Sequence, residues 1–222
     1  MPNASFDLVI FDCDGVLVDS EVISTRTLIQ ALAAHGLETD LAHVRKTYLG
    51  RAMHVVRSDY ERRTGRALAD GFEADFLERL FTAYRRDLVA MAGVRALIEG
   101  LRTRYCMATS SPIERATLSL EVTGLSPLFE DRVFCAAMVA HGKPAPDLFL
   151  LAAQTFAADP ARCLVIEDSE VGIEAAKNAG MEVWRFVGGS HFRDGPAPPP
   201  DADPRVRLFH SMDEIAAALG VE

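Results

Sequence analysis

Lysine is scarce in this chain. Only Lys46, Lys143 and Lys177 occur in 222 residues, and 32 acidic residues face 23 basic ones, a formal net charge of −9. A general nucleic-acid binder needs a basic face, so this balance argues against one. An anionic small substrate stays open, because a bound cation and a few basic side chains invert the field locally. The four cysteines, Cys13, Cys106, Cys135 and Cys163, form no C-x-x-C pair. That leaves buried, reduced thiols as the plainer reading. No run of about 18 apolar residues exists, and no apolar N-terminal segment follows positive charge. No membrane partner is therefore expected, and a soluble, cytoplasmic protein fits best. Internal repeats are lacking as well.

What is present is apolar. A hydrophobic content of 49% supports one large domain, or a core with a smaller companion. Residues 6–11 read as a first strand buried on both faces. From residue 20 to about 86 the pattern turns helical: Val22, Ile23, Leu28, Ile29 and Leu32 can share a face, and Gly36 ends that helix. Further helices are expected over 53–63 and 72–86. Strands at 105–108, 132–136, 163–166, 182–187 and 206–209 then alternate with helices at 94–101, 112–122, 146–156, 171–179 and 212–219. Such alternation predicts an α/β fold with a doubly wound parallel sheet joined by right-handed crossovers. The helical stretch after the first strand reads as an inserted subdomain. The proline-rich segment 196–204 reads as an exposed connector.

In a sheet of this kind ligands bind beyond the carboxyl ends of the strands. The most informative residues sit there. Val9-Ile10-Phe11 runs directly into Asp12-Cys13-Asp14-Gly15. Alternate strand residues share a face, so Asp12 and Asp14 start on one side while Cys13 points away and packs. Two carboxylates at the end of a buried strand repel each other and are costly to desolvate. A divalent metal with hard oxygen ligands, Mg²⁺ foremost, relieves both costs. After the second strand come Thr109, Ser110 and Ser111. Ser111-Pro112-Ile113-Glu114 has the form of a capped helix start, whereas Thr109 is free to serve an anion. Lys143 and His141 lie in the loop after the third strand. Glu167-Asp168-Ser169, then Gly172, follow the fourth. Acid pair, hydroxyl, lysine and acid pair at successive strand ends are the parts of a phosphoryl-transfer site.

These motifs resemble the haloacid-dehalogenase superfamily of phosphotransferases: D-x-D-G-x-L-x-D-S at residues 12–20, Thr109-Ser110, Lys143-Pro144, and Glu167-Asp168-Ser169 with Gly172. The branch most similar is the β-phosphoglucomutase-like one, which includes sugar-phosphate phosphatases. The resemblance implies a Rossmann-like core at residues 1–18 and 88–222 and a helical cap at 19–87 that sets specificity. It implies Asp12 as nucleophile, forming an aspartyl phosphate, and Asp14 as general acid and base. Mg²⁺ would be held by Asp12, Asp168 and the backbone carbonyl of Asp14, with Glu167 acting on a metal-bound water or on Lys143. Phosphate would be bound by Thr109, Ser110, Lys143 and the backbone at Cys13 and Asp14. Asp19 and Ser20 would sit at the hinge, with helix capping the plainer role for Ser20.

The cap residues bear on the substrate. Members that act as mutases resemble this chain but carry a histidine near Ser24 and an arginine at the position of Met53. Both are missing, which leaves mutase activity as the alternative to hydrolysis. Met53 also cannot form the imine used by phosphonoacetaldehyde hydrolases, and dehalogenases proper need no metal and lack the Asp14-Gly15 arrangement. A non-catalytic receiver domain, phosphorylated on aspartate, would be shorter and would have no use for Asp14. Hydrolysis of a small sugar, sugar-acid or polyol phosphate is the best reading, with Arg51, Lys46 and His54 expected to supply polar contacts from the cap. Oligomeric state is not legible.

Overall fold

A computed structural model describes residues 6–48, 53–193 and 201–221. β1 (Leu8–Phe11) is followed by α1 (Glu21–Ala34), α2 (Leu41–Thr47), α3 (Met53–Thr64) and α4 (Phe72–Asp87). The alternating part then runs α5 (Val94–Gly100), β2 (Arg104–Thr109), α6 (Ile113–Val122), α7 (Ser126–Phe129), β3 (Val133–Cys135), α8 (Asp147–Thr155), β4 (Cys163–Glu167), α9 (Glu170–Asn178), β5 (Glu182–Phe186), β6 (Val206–Phe209) and α10 (Met212–Leu219). The six strands form one parallel sheet in the order β3-β2-β1-β4-β5-β6. This is the α/β architecture that the alternation predicts.

β1 sits in the middle and is buried along its whole length. Its side chains divide by the two-residue period of a strand. Val9 and Phe11 join an apolar cluster with Met107, Ile166 and Trp184 that continues into α1, α3 and α4. Leu8 and Ile10 join a second cluster with Cys106, Val165 and Val183, covered by α8 and α9. Layers on both faces explain why these strands read as continuous apolar runs. All four cysteines are free and buried.

The helical stretch leaves and rejoins the sheet at one place. Val18 bridges Ala90 in antiparallel fashion, Asp19 N–H donates to Val89 O at 3.0 Å, and Met91 N–H donates to Leu17 O at 2.9 Å. Within that stretch α2 goes beyond the sequence-based expectation. Seven residues give too little periodicity to detect, but Asp40 caps the helix by accepting from His43 N–H at 2.7 Å. No described helix is long and apolar enough to cross a membrane. The expected proline-rich connector lies outside the described residues as far as Pro200.

Candidate active site

The chain leaves the sheet at Asp12, whose N–H still donates to Ile166 O at 2.9 Å. Three residues on, Gly15 turns the backbone with φ +80°, a conformation that disfavours a side chain. A Cβ there would also overlap the Asp168 carboxylate. Gly172 plays a matching part at the start of α9, where a Cβ would overlap the Glu167 carboxylate. Both glycines of the motifs thus let the two acid pairs approach closely. Cys13 is buried in the same cluster as Val9 and Phe11.

Asp12, Asp14, Thr109, Ser110, Lys143, Glu167 and Asp168 line one cavity of about 390 Å³. Lys143 ties them together. Its Nζ donates to Asp12 Oδ1 at 2.6 Å, to Glu167 Oε1 at 2.8 Å and to Ala108 O at 3.0 Å, with the side chain only 1% exposed. Burial works against that ammonium, but the charges of Asp12 and Glu167 hold it above its ordinary pKa. The other Glu167 oxygen, Oε2, accepts from Ser169 N–H and Oγ. Ser169 Oγ in turn caps α9 by accepting from Gly172 N–H at 3.1 Å.

Oxygens of Asp12, Glu167 and Asp168 all lie within 4.8 Å of one another, and all three residues are buried. One ammonium cannot neutralise three carboxylates. Burial raises the Asp12 and Asp168 carboxyls well above the ordinary range, and repulsion from Glu167 adds to it in both. Hard oxygen donors with surplus buried negative charge suit a small divalent cation such as Mg²⁺. His191 stands behind this group, buried, with Nε2 3.1 Å from Asp168 Oδ2 but not aligned to form a hydrogen bond.

Asp14 has a different environment. Ser20 Oγ donates to its Oδ1 and Ser111 Oγ to its Oδ2, each at 2.6 Å, and Arg115 Nη2 donates to Oδ1 at 2.8 Å. Arg115 Nε also donates to Tyr84 OH at 3.1 Å, joining α6 to α4. Burial opposes the Asp14 charge, but Arg115 and the two hydroxyls outweigh it and hold the carboxyl below its usual value. This corrects two expectations. Ser111 does not cap α6, which starts from Pro112 without a side-chain cap, and Ser20 does not cap α1. In each case a buried carboxylate outcompetes helix N–H groups that water or backbone can serve. Instead Ser111 N–H donates to Thr109 Oγ1 at 3.0 Å.

Sequence reasoning passed over Arg115. Its local sequence carries no signal: Ser111 precedes α6, so the two are not a helix-face pair, and Arg115 meets Asp14 from 101 residues away. It also passed over Glu21, which directly follows Ser20, and Tyr48. Both line the cavity, as do Ser24 and Met53. Lys46 and His54 do not line it, Arg51 lies outside the described residues, and His141 is exposed beside Asp147 at 3.1 Å.

The profile of the haloacid dehalogenase-like hydrolases matches residues 6–180. A 6-phosphogluconate phosphatase of Escherichia coli is 28% identical over 211 residues, covering 94% of this chain and 92% of that protein. A fructose-1-phosphate phosphatase of the same organism is 32% identical, covering 78% and 93%. Among solved structures, a haloacid dehalogenase-like protein of Agrobacterium tumefaciens superposes with a TM-score of 0.79 at 30% identity, covering 97% of this chain and 98% of that one. A family hydrolase of Deinococcus radiodurans, solved with bound phosphate and sodium, gives 0.74 at 31%, covering 98% and 96%.

Proposed function

The chain belongs to the haloacid dehalogenase-like hydrolases, acting on phosphate monoesters, and we propose that it hydrolyses a small sugar, sugar-acid or polyol phosphate through an aspartyl phosphate on Asp12. The observation that carries this reading is the buried Lys143 bridge from Asp12 to Glu167 at the mouth of the parallel sheet.

In the proposed reaction the phosphate dianion enters between Asp12 and Thr109, with Ser110 and the backbone at Cys13 and Asp14 donating to its oxygens. Lys143 balances the charge of Asp12 and of the incoming group. An Asp12 oxygen attacks phosphorus and the ester bond to the leaving oxygen breaks. Asp14 donates a proton to that oxygen, then accepts one from the water that attacks the aspartyl phosphate, which frees Asp12 and inorganic phosphate. Before substrate arrives Asp14 is held as an anion; the charge of the bound phosphate opposes that state and favours the protonated carboxyl that the first step needs. Asp12, Asp168 and the Asp14 carbonyl would hold Mg²⁺, with Glu167 beside them, and the ion would supply positive charge against the phosphate oxygens.

Residues 1–18 and 88–222 would form the catalytic core, and 19–87 a cap that closes over the cavity and limits water. The single crossing at Val18 and Ala90 supports that division. Ser24 and Met53 in the cavity wall, in place of the histidine and arginine of mutase-like members, favour hydrolysis over a mutase reaction. The test is p-nitrophenyl phosphate with Mg²⁺. Steady release of phosphate is expected, lost on chelation and in Asp12→Asn, while Asp14→Asn lowers turnover by roughly 10²–10⁴-fold. A stoichiometric phosphoprotein without turnover, or equal mild losses in both variants, would refute the reading.

A further inference from the structure

The turn after β5, Ser190–Phe192, reaches back to the first motif. His191 in that turn is buried, and its ring sits against Gly15, Gly189 and Asp168. A Cβ on Gly15 would stand 3.2 Å from His191 Cε1, and one on Gly189 2.7 Å. The two glycines therefore leave the space that the ring fills. Nε2 lies 3.1 Å from Asp168 Oδ2, with side-chain exposures of 4% and 6%. Among the described residues neither ring nitrogen has a hydrogen-bond partner. The residue before it fixes the turn: Asp19 Oδ1 accepts from Ser190 N–H at 3.0 Å and from Ser190 Oγ at 2.8 Å. Asp19 stands where the chain leaves for the helical stretch, its own N–H bound to Val89 O.

A carboxylate that holds a metal is oriented by the hydrogen bonds its oxygens receive. Asp12 and Glu167 have that support from Lys143. For Asp168 the side chain within reach is His191. We propose that His191 is the positioning residue of Asp168. Its ring donates Nε2–H to Oδ2 once the carboxylate turns to take up the ion, which fixes that oxygen and leaves the other free. Ser190 and Asp19 brace the ring. The crossing to the helical stretch and the Asp168 carboxylate thus share one support. This inference rests on the Mg²⁺ site proposed above and adds a residue to it.

Titration of the protein with Mg²⁺ alone, followed by melting temperature and by calorimetry, tests it. His191→Phe keeps a ring and removes the donor, and the Mg²⁺ dissociation constant is expected to rise roughly 10–100-fold. His191→Gln, whose amide nitrogen can take the place of Nε2, is expected to recover most of that loss. Asp19→Ala removes both bonds to Ser190 and is expected to raise the constant by a smaller factor. Melting without Mg²⁺ shows whether each variant folds. A role in packing alone would lower that melting point and leave the dissociation constant where it was. A folded His191→Phe with the parent's constant overturns the proposal. Equal losses in His191→Phe and His191→Gln overturn the assignment to Nε2–H. Should His191→Phe not fold, an unchanged constant in Asp19→Ala overturns it instead. If the parent itself binds no Mg²⁺, the metal site has failed and this inference with it.

Discussion

Arg115 reaches across from α6 to place Nη2 2.8 Å from Asp14 Oδ1, so the second acid of the motif meets the cavity already paired. That pair is partly buried, with side-chain exposures of 15% and 12%. Removing one partner of a buried pair leaves an uncompensated charge, which costs about 3–5 kcal/mol. Arg115→Met is expected to lose stability on that scale in urea unfolding. Arg115→Lys keeps the charge but not the forked geometry that also reaches Tyr84, and should fall between. A methionine variant as stable as the parent would contradict the pairing.

Ser111 offers a test that separates its two roles. At a helix N-cap, glycine replaces serine at a cost of only a few tenths of a kcal/mol. As a donor to Asp14, serine has no substitute in glycine. Ser111→Gly and Ser111→Ala are therefore both expected to lower stability by about 1.5–3 kcal/mol, the range for a hydrogen bond to a charged group. Rescue by glycine alone would restore the capping role that the sequence suggested.

Magnesium should stabilise the fold by relieving repulsion among Asp12, Glu167 and Asp168. At 100 times its dissociation constant a ligand adds about 2.7 kcal/mol. Thermal melting is expected to shift upward with Mg²⁺ in the parent and to stay flat in Asp168→Asn. Gly15→Ala should also lose the shift, because the added methyl would displace the Asp168 carboxylate. An undiminished shift in either variant would place the ion elsewhere.

Asp59 gives the helical stretch an acid-sensitive tie. It is 5% exposed and accepts from Tyr48 OH at 2.5 Å, His43 Nε2 at 2.9 Å and Arg62. Burial raises its carboxyl, but Tyr48, His43 and Arg62 outweigh that and lower it to about 2. A depressed folded-state value means the contribution is complete above the unfolded value of about 4 and is lost as pH falls through the folded one. The stability gap between the parent and Asp59→Asn should be constant near neutrality and close between about pH 4 and pH 2. A gap that persists to low pH would mean that packing, not charge, sets it.

Much of this was legible because parallel strands buried on both faces advertise themselves as short apolar runs; β6 and α10 were expected at the bounds they occupy. The acid pair at Asp12 and Asp14 was legible for the same reason, since charge at the end of such a run is conspicuous. Ser111 was misread because its local sequence satisfies a cap, and only the approach of Asp14 from 97 residues away diverts it. Arg115 and Glu21 looked like ordinary helix-face charges. Their neighbours come from other elements, and no local pattern encodes them.

β1 is hydrogen-bonded on both sides, by β2 and by β4. Its amides cannot exchange with solvent by fraying from an edge, so Val9 and Ile10 should be among the slowest in the molecule. In the proposed closure of the cap, the helices above would open and shut while the strand beneath stays closed. The carboxylate proposed as nucleophile is thereby anchored to the part of the protein that yields last.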